Sequence, residues 1–234
     1  ELRATLKVDD LWLRIKAAEA LAAIGDDAKP AVPDLLEMLA DHDADYDPRA
    51  MQQRYLCFAL FDRRSGMLRG SLEGIDHEAL YRAVRVGLVN DDGRARGTLG
   101  SVYKNLSYDE IEPLLPAIIE AVATPAPSGI MFADGIRLAG LELLAQYHHE
   151  EALEHFVNVM GVERWGQGDR VLKCLKILQT YGGAAKSLLP QLAEIEKEYL
   201  AKDKAPEAQL KLLRETMAII EADQDPPVLR TVGG

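Results

Sequence analysis

One short phrase occurs three times in this chain of 234 residues. Residues 28–35 read AKPAVPDL, residues 111–118 read IEPLLPAI, and residues 185–192 read AKSLLPQL. An aliphatic-Pro pair with Leu or Ile two residues later is typical of a helix start, where proline removes no backbone hydrogen bond. The last prolines of the three phrases are Pro33, Pro116 and Pro190. They are separated by 83 and 74 residues, and each separation equals two periods of about 37 to 42 residues. Such a period predicts an array of helical repeats.

The composition favours closely packed helices. Aromatic residues make up 6% of the chain, and Ala and Leu supply most of its apolar side chains, whereas a β-sandwich is rich in Val, Thr and aromatic residues. We find no lasting period-2 alternation and no apolar run long enough for a membrane span. Cys57 and Cys174 lie among apolar helical residues, which favours two buried thiols over a disulfide.

A second pattern alternates with the proline phrases. It begins at Arg14, Arg96, Arg137 and Arg170, each followed by mostly apolar or small residues four, seven and ten positions later. These steps lie on one stripe of a helix. Within residues 1–223 we predict helix pairs over residues 11–40, 48–89, 94–123, 134–160 and 168–201, a last helix over 206–222, and after them a mobile or extended tail over 224–234.

The first repeat combines an early Arg, the run AAEAL over residues 17–21, Ile-Gly at 24–25 and the proline phrase. Together these features resemble a HEAT repeat. Repeats 11–40 and 168–201 match best, and repeat 48–89 matches poorly. The resemblance implies an all-α fold, a right-handed α-α superhelix of about five helix pairs plus a C-terminal helix. The Asp and Arg ladder of regular HEAT arrays is incomplete here, which implies an irregular or bent array.

The resemblance implies a non-enzymatic scaffold that binds other proteins along a concave face lined by the second helices. We expect the C-terminal part of a larger protein, because the chain starts at Glu1 without Met, and we predict no cofactor. A nucleic-acid-binding domain is one alternative, although a net charge of −11 argues against it. An accessory subunit of an enzyme, such as a chromophore-lyase-like assembly, is another.

Positive charge is concentrated in one part of the chain. Residues 49–96 contain nine Arg, no Lys and six acidic residues. Inside this stretch, residues 61–74 form an insertion longer than an ordinary helix connection, with Arg63, Arg64 and Arg69 among glycines. Arginine suits bidentate binding of carboxylate or phosphate. We therefore predict a docking loop for an acidic or phosphorylated peptide, or for another domain of the parent chain; the alternative is a solvated loop paired with its acidic flanks.

Trp165 is a further candidate. It lies in the sequence ERWG at 163–166, where an aromatic side chain could anchor a partner. Packing between repeats is the alternative and is favoured.

Residues 41–47 alternate aspartates with other residues and invite a calcium interpretation. An EF-hand loop from Asp41 requires Gly and Glu where this chain has Tyr46 and Gln52, so that motif fails. Two interpretations of this stretch remain: a looser cation site, and an acidic turn that caps helix 48–61. The second is favoured.

No other pattern predicts a metal or a catalytic residue. His148 and His155 share a helix face with Glu151, but the histidines are about 10 Å apart along the axis, too far to hold one zinc ion. The sequence GGAAKS at 182–187 lacks the order of a phosphate-binding loop.

Overall fold

A computed structural model describes residues 1–161 and 166–233, and this part of the chain contains helices but no β-strand. The all-α, HEAT-like fold predicted from the sequence is therefore confirmed. The α-helices are α1 (Leu2–Thr5), α2 (Leu11–Ile24), α3 (Val32–Ala40), α4 (Met51–Phe61), α5 (His77–Leu88), α6 (Gly93–Leu99), α7 (Tyr108–Ile111), α8 (Leu115–Ala123), α9 (Asp134–Gln146), α10 (Phe156–Gly161), α11 (Gln167–Leu178), α12 (Leu189–Leu200) and α13 (Glu207–Ala222).

The three proline phrases each begin a helix, as predicted. The last proline of each phrase lies in the first turn of α3, α8 or α12, where its missing N–H has no helical partner in any case. A short 3₁₀ segment precedes α3, α8 and α12. The phrases therefore mark where the second helix of a repeat starts.

Aspartate side chains begin several of the other helices. Asp10 accepts a hydrogen bond from the backbone N–H of Leu13 at the start of α2, and Asp76 accepts two at the start of α5. Asp92 accepts one from the N–H of Arg94 at the start of α6. Each carboxylate satisfies N–H groups that the helix itself leaves without partners.

The chain forms two compact units, Glu1–Ala139 and Gly140–Gly234, called here the N-terminal and C-terminal units. Inside the N-terminal unit the first helices α2, α4 and α6 contact one another in order, and the second helices α3, α5 and α8 do the same. This ordered stacking of helix pairs is the expected packing of helical repeats. The most buried side chains of these helices include Ala18, Leu35, Leu39, Leu56, Leu60, Leu80, Val84 and Leu99.

The C-terminal unit is built around α11 and α13. Helix α11 contacts α10 and α13, and α13 also contacts α12 and the 3₁₀ segment Gln179–Leu188. The tail predicted to be mobile or extended lies extended along this unit. The N–H of Arg230 donates to the carbonyl of His148 at 2.9 Å, and the N–H of Glu150 donates back to the carbonyl of Arg230 at 2.9 Å. The N–H of Val232 donates to Oε1 of Glu151 at 2.6 Å.

Several predicted helices are shorter or less regular than the sequence suggested. The predicted helix 94–106 is divided, because α6 ends at Leu99 and a 3₁₀ turn follows over Val102–Asn105. The predicted helix 149–160 begins as a 3₁₀ segment and becomes α-helical at Phe156. Helical periodicity fixes the buried stripe but does not separate 3₁₀ from α-helical turns at the ends of a helix.

Candidate functional site

The loop over residues 62–76, between α4 and α5, is attached firmly to the helix before it. Met67 and Leu68 are buried, and their N–H groups donate to the carbonyls of Ala59 and Leu60 at 2.9 Å. Oδ1 of Asp62 accepts hydrogen bonds from Ser65 and from the N–H of Arg64. The loop therefore presents its exposed side chains from a defined backbone.

Arg63, Arg64 and Arg69 are all exposed on this loop. Arg69 donates from Nη1 to the carbonyl of Gly66 at 3.0 Å. Within the described residues none of the three forms a salt bridge within 4.0 Å. Their role in binding stays a prediction. Trp165, the other candidate from the sequence, lies outside the described residues.

A cavity of about 490 Å³ lies within the N-terminal unit. Its walls are the start of α4, the end of α5, the start of α6 and Ser128 from the connection before α9. The charged and polar residues lining this arginine pocket are Arg49, Arg54, Arg94, Asp91, Asp92, Asn90, His42 and Ser128. The apolar residues lining it are Pro48, Ala50, Met51, Val86 and Val89.

The guanidinium groups of Arg54 and Arg94 both face Asp92. Oδ2 of Asp92 lies 4.0 Å from Nη1 of Arg54 and 3.7 Å from Nη1 of Arg94, beyond hydrogen-bonding distance. The Arg94 guanidinium also lies 4.6 Å from the ring centre of Phe132, a cation–π distance. Nε of Arg54 is buried and has no hydrogen-bond partner in the part of the chain that the structure describes. The arginines are thus placed electrostatically, with their N–H groups left available.

Asp92 itself is held in place by the backbone around it. Its N–H donates to Oδ1 of Asn90 at 2.8 Å, and its Oδ1 accepts from the N–H of Arg94 at 2.7 Å. Backbone hydrogen bonds join Ser128 to Asp91 and Gly93 at 3.0 and 2.8 Å. The pocket wall therefore combines two segments that lie far apart in the sequence.

Three further arginines donate hydrogen bonds inside the fold, although Nε and Nη1 of Arg137 are buried without a partner among the described residues. Arg96 is buried and donates from Nη1 to the carbonyl of Thr124 at 2.9 Å. Arg137 is fully buried and donates from Nη2 to Oδ1 of Asp134 at 2.7 Å, and Arg170 donates from Nε to the carbonyl of Val159 at 2.8 Å. Arg54 lies about one repeat before Arg96, so it occupies the equivalent position in the second repeat.

Arg49, Arg54 and Arg94 were not among the site residues predicted from the sequence. All three belong to the stretch 49–96 that the charge distribution singled out. Arg54 could have been predicted from the repeat spacing, because it lies about one repeat after Arg14 and one repeat before Arg96. No sequence pattern predicts that Arg94 meets Phe132, because that contact depends on the tertiary fold.

The acidic stretch 41–47 caps the following helix, as favoured. Oδ2 of Asp47 accepts from the N–H of Gln52 at 2.7 Å, and Oδ1 of Asp43 accepts from the N–H groups of Asp45 and Tyr46. Across residues 1–161 and 166–233, no group of three or more His, Cys, Asp or Glu side chains is arranged to hold a metal ion.

The two cysteines are buried and no disulfide joins them, as predicted. Burial raises the pKa of the Cys57 thiol to about 12, so this residue stays in the unreactive thiol form at neutral pH. In the described part of the chain no helix is both long enough and apolar enough to cross a membrane.

Residues 13–41 match the family model of the PBS lyase HEAT-like repeat. A similar solved structure is the crystal structure of an engineered protein from a structural genomics consortium, with 18% sequence identity and a TM-score of 0.54, covering 92% of this chain and 96% of that one. At this identity the likeness shows the fold alone. No curated protein matches the sequence. The HEAT-repeat resemblance is confirmed, and no specific protein is identified.

Proposed function

We propose that this chain, a helical-repeat scaffold of the HEAT-like type, binds a protein partner that presents acidic or phosphorylated side chains. The observation that carries the proposal is the exposed arginine group of the loop 62–76, whose members Arg63 and Arg64 have no salt-bridge partner among the described residues. The loop backbone is fixed by buried Met67 and Leu68, so a partner that binds here has to order the arginine side chains but not the backbone that carries them.

The charge distribution supports the same proposal. Nine arginines and no lysine lie within residues 49–96, in a chain whose net charge is −11. Complementary potentials steer an acidic partner to such a patch and select against basic partners. The stacked helix pairs supply the rigid surface on which the patch is displayed.

A binding array of blocked acidic, phosphorylated and neutral peptides, probed with the whole chain, tests the proposal. We expect binding of acidic or phosphorylated peptides that weakens as the salt concentration rises. Changing Arg63, Arg64 and Arg69 together to Gln should reduce this binding by about tenfold or more. Arg82→Gln, an exposed substitution on α5, is the control for each single variant of the three arginines, because it removes one positive charge outside the loop. Unchanged affinity of the triple variant would overturn the role of the loop.

An accessory role in an enzyme assembly is the second candidate. The arginine pocket favours it, because concave pockets with a few convergent polar groups are where small ligands bind. A thermal-shift screen of small organic acids tests this candidate: stabilisation by a free acid supports it, and the absence of any shift argues for the peptide-binding scaffold.

A further inference from the structure

The arginine pocket has features that the exposed loop lacks: depth, a buried carboxylate and an apolar wall. We infer that it binds a single carboxylate carried on an apolar peptide segment, that is, an aspartate or glutamate side chain of the partner flanked by hydrophobic residues. This inference rests on the proposed function and names a second, separate site for the same class of partner.

Unused hydrogen-bond donors are the first argument. A guanidinium group has five N–H groups in a fixed planar array. Within the described residues, the side chains of Arg49, Arg54 and Arg94 donate no hydrogen bond, although all three line one cavity. Nε of Arg54 is shielded from solvent, so the donors that a ligand in the pocket can reach are the Nη groups of the arginines. A carboxylate entering the pocket would accept from these groups.

The charge of the pocket argues for one negative charge on the ligand. Three arginines and two aspartates line it, which leaves a single excess positive charge when His42 is neutral. Asp92 is only 9% exposed and already faces Arg54 and Arg94. A phosphate dianion would be repelled by this fixed carboxylate more strongly than a carboxylate would. The pocket therefore favours a monoanion.

The apolar surroundings argue that the carboxylate is attached to a hydrophobic body. Pro48, Met51 and Val86 form part of the wall, and Val89 lines the cavity while 52% exposed. Phe132, whose ring lies under the Arg94 guanidinium, is 47% exposed. A small inorganic anion would leave these surfaces uncovered, whereas aromatic and arginine side chains together are typical of residues that dominate protein interfaces.

The reach of the apolar surface argues for a peptide over a small acid. Phe132 and its neighbour Met131, 42% exposed, lie outside the cavity lining. A ligand that fills the cavity and also covers these side chains must extend beyond it. A peptide with apolar residues next to its acidic residue does so.

The backbone of the pocket wall supports a ligand-binding role. Ala50 lies in the left-handed region with φ of 48° and ψ of 39°, although it carries a Cβ. Such conformations are unfavourable in a non-glycine residue. Residues of this kind are concentrated at binding sites, and Ala50 shares the cavity wall with Arg49 and Arg54.

The experiment uses the full chain and blocked peptides with a fixed central Glu flanked by apolar residues, each compared with its Gln counterpart by calorimetry. We expect the Glu peptides to bind and the Gln peptides to bind about tenfold more weakly or worse. Arg54→Gln and Arg94→Gln should each weaken Glu-peptide binding about tenfold, while Arg82→Gln should leave it unchanged.

Asp92→Asn supplies a test in the opposite direction. Asparagine keeps the helix cap on α6 but removes the carboxylate that competes for Arg54 and Arg94. We expect tighter binding of the Glu peptides by several-fold, a result that general damage to the fold would not produce. If Arg54→Gln fails to fold, this variant still decides the question, because unchanged or weaker binding overturns the site.

Three other outcomes would overturn the inference. Loss of binding in the Arg63, Arg64 and Arg69 triple variant, with full binding in the Arg54 and Arg94 variants, overturns the pocket and leaves the proposed function intact. A preference for phosphopeptides that persists in the Arg63, Arg64 and Arg69 triple variant and is lost in the Arg54 and Arg94 variants overturns the single-carboxylate assignment. Free hexanoate that binds as tightly as the Glu peptide overturns the peptide as the source of the carboxylate.

Discussion

The two compact units each bury a tyrosine deeply, and they treat its hydroxyl differently. In the C-terminal unit the Tyr181 hydroxyl donates to the carbonyl of His149 at 2.8 Å. In the N-terminal unit the Tyr103 hydroxyl is buried, and it has no hydrogen-bond partner in residues 1–161 and 166–233. The arginine pocket, with its unused donors, lies in this same N-terminal unit. We infer that the Tyr181 hydroxyl stabilises its unit through this hydrogen bond and that the Tyr103 hydroxyl makes no such contribution. Within the described residues, buried polar atoms without a hydrogen-bond partner occur in both units, for example Nη1 of Arg137 and Nε2 of His155.

The largest effect is expected at a glycine that occupies equivalent positions in two repeats. Gly25 and Gly182 have nearly the same backbone, with φ of 76° and 47° and ψ of −131° and −134°. A Cβ at Gly182 would clash with Oδ2 of Asp223, and none of the surrounding atoms lies within 4 Å of a Cβ at Gly25. We expect Gly182→Ala to lower the free energy of unfolding by about 3 kcal/mol or more, and Gly25→Ala by about 1 to 2 kcal/mol.

Urea titrations of both glycine variants measure this difference. The double variant Gly182→Ala with Asp223→Ala separates the two causes, since it keeps the unfavourable backbone and removes the clash. Equal losses for Gly25→Ala and Gly182→Ala would show that the tail contact at Asp223 does not distinguish the two repeats.

The next effect concerns Tyr181. Replacing it by Phe removes the hydroxyl that donates to the His149 carbonyl, which still accepts from the N–H of Ala152 at 3.3 Å. We expect a loss of about 1 kcal/mol at neutral pH. Burial raises the Tyr181 pKa above its usual value. Because the protonated form is favoured in the folded state, this contribution is present below pH about 10 and is lost as the pH rises above it. The variant should therefore lose less stability than the wild type at alkaline pH, in thermal unfolding followed by circular dichroism.

The two ends of the chain are attached by different forces. The C-terminal tail is held by main-chain hydrogen bonds, whereas Arg3 of α1 donates from Nε to Oδ2 of Asp34 at 2.6 Å. This bond holds the pKa of the Asp34 carboxyl below its usual value. The ion pair therefore stabilises the fold above pH about 4 and is lost as the pH falls below that value.

Asp34→Asn tests that attachment. The Arg3 side chain is 55% exposed, so we expect a loss of only about 0.5 kcal/mol at neutral pH. Unfolding curves of the variant and the wild type should converge in acid, where the wild-type carboxyl is protonated. A constant difference across the acid range would contradict the ion-pair explanation.

The smallest expected effect belongs to Tyr103. Tyr103→Phe removes a buried hydroxyl that has no partner, so we expect a change within about 0.5 kcal/mol, or a slight gain in stability. Paired with Tyr181→Phe, it measures the difference between the two units directly. A loss as large as that of Tyr181→Phe would show that the Tyr103 hydroxyl has a bound water or another partner.

Local chemistry made the fold predictable from the sequence. The proline phrases mark the starts of α3, α8 and α12, and the equivalent glycines Gly25 and Gly182 mark the turns before two of them, because each residue type fits its place for a steric reason. The loop carrying Arg63 and Arg64 was also recognised, because it is a continuous segment.

The arginine pocket was not predictable in the same way. It joins Arg54 on α4 to Arg94 and Asp92 at the start of α6, and Ser128 and Phe132 come from a later connection. These contacts depend on how the helix pairs stack, and helical periodicity says which side is buried without saying which polar side chains meet. The positive charge of residues 49–96 indicated the region but not the cavity.

The most direct test of the account follows the arginine side chains themselves. Nε–Hε resonances of Arg54, Arg94, Arg96 and Arg137 can be assigned by nuclear magnetic resonance and monitored while a Glu peptide or its Gln counterpart is added. If a peptide carboxylate binds in the arginine pocket, the Arg54 and Arg94 signals shift with the Glu peptide and not with the Gln peptide. The signals of the packed Arg96 and Arg137 do not change. Shifts of all four signals together, or of none, would contradict the account.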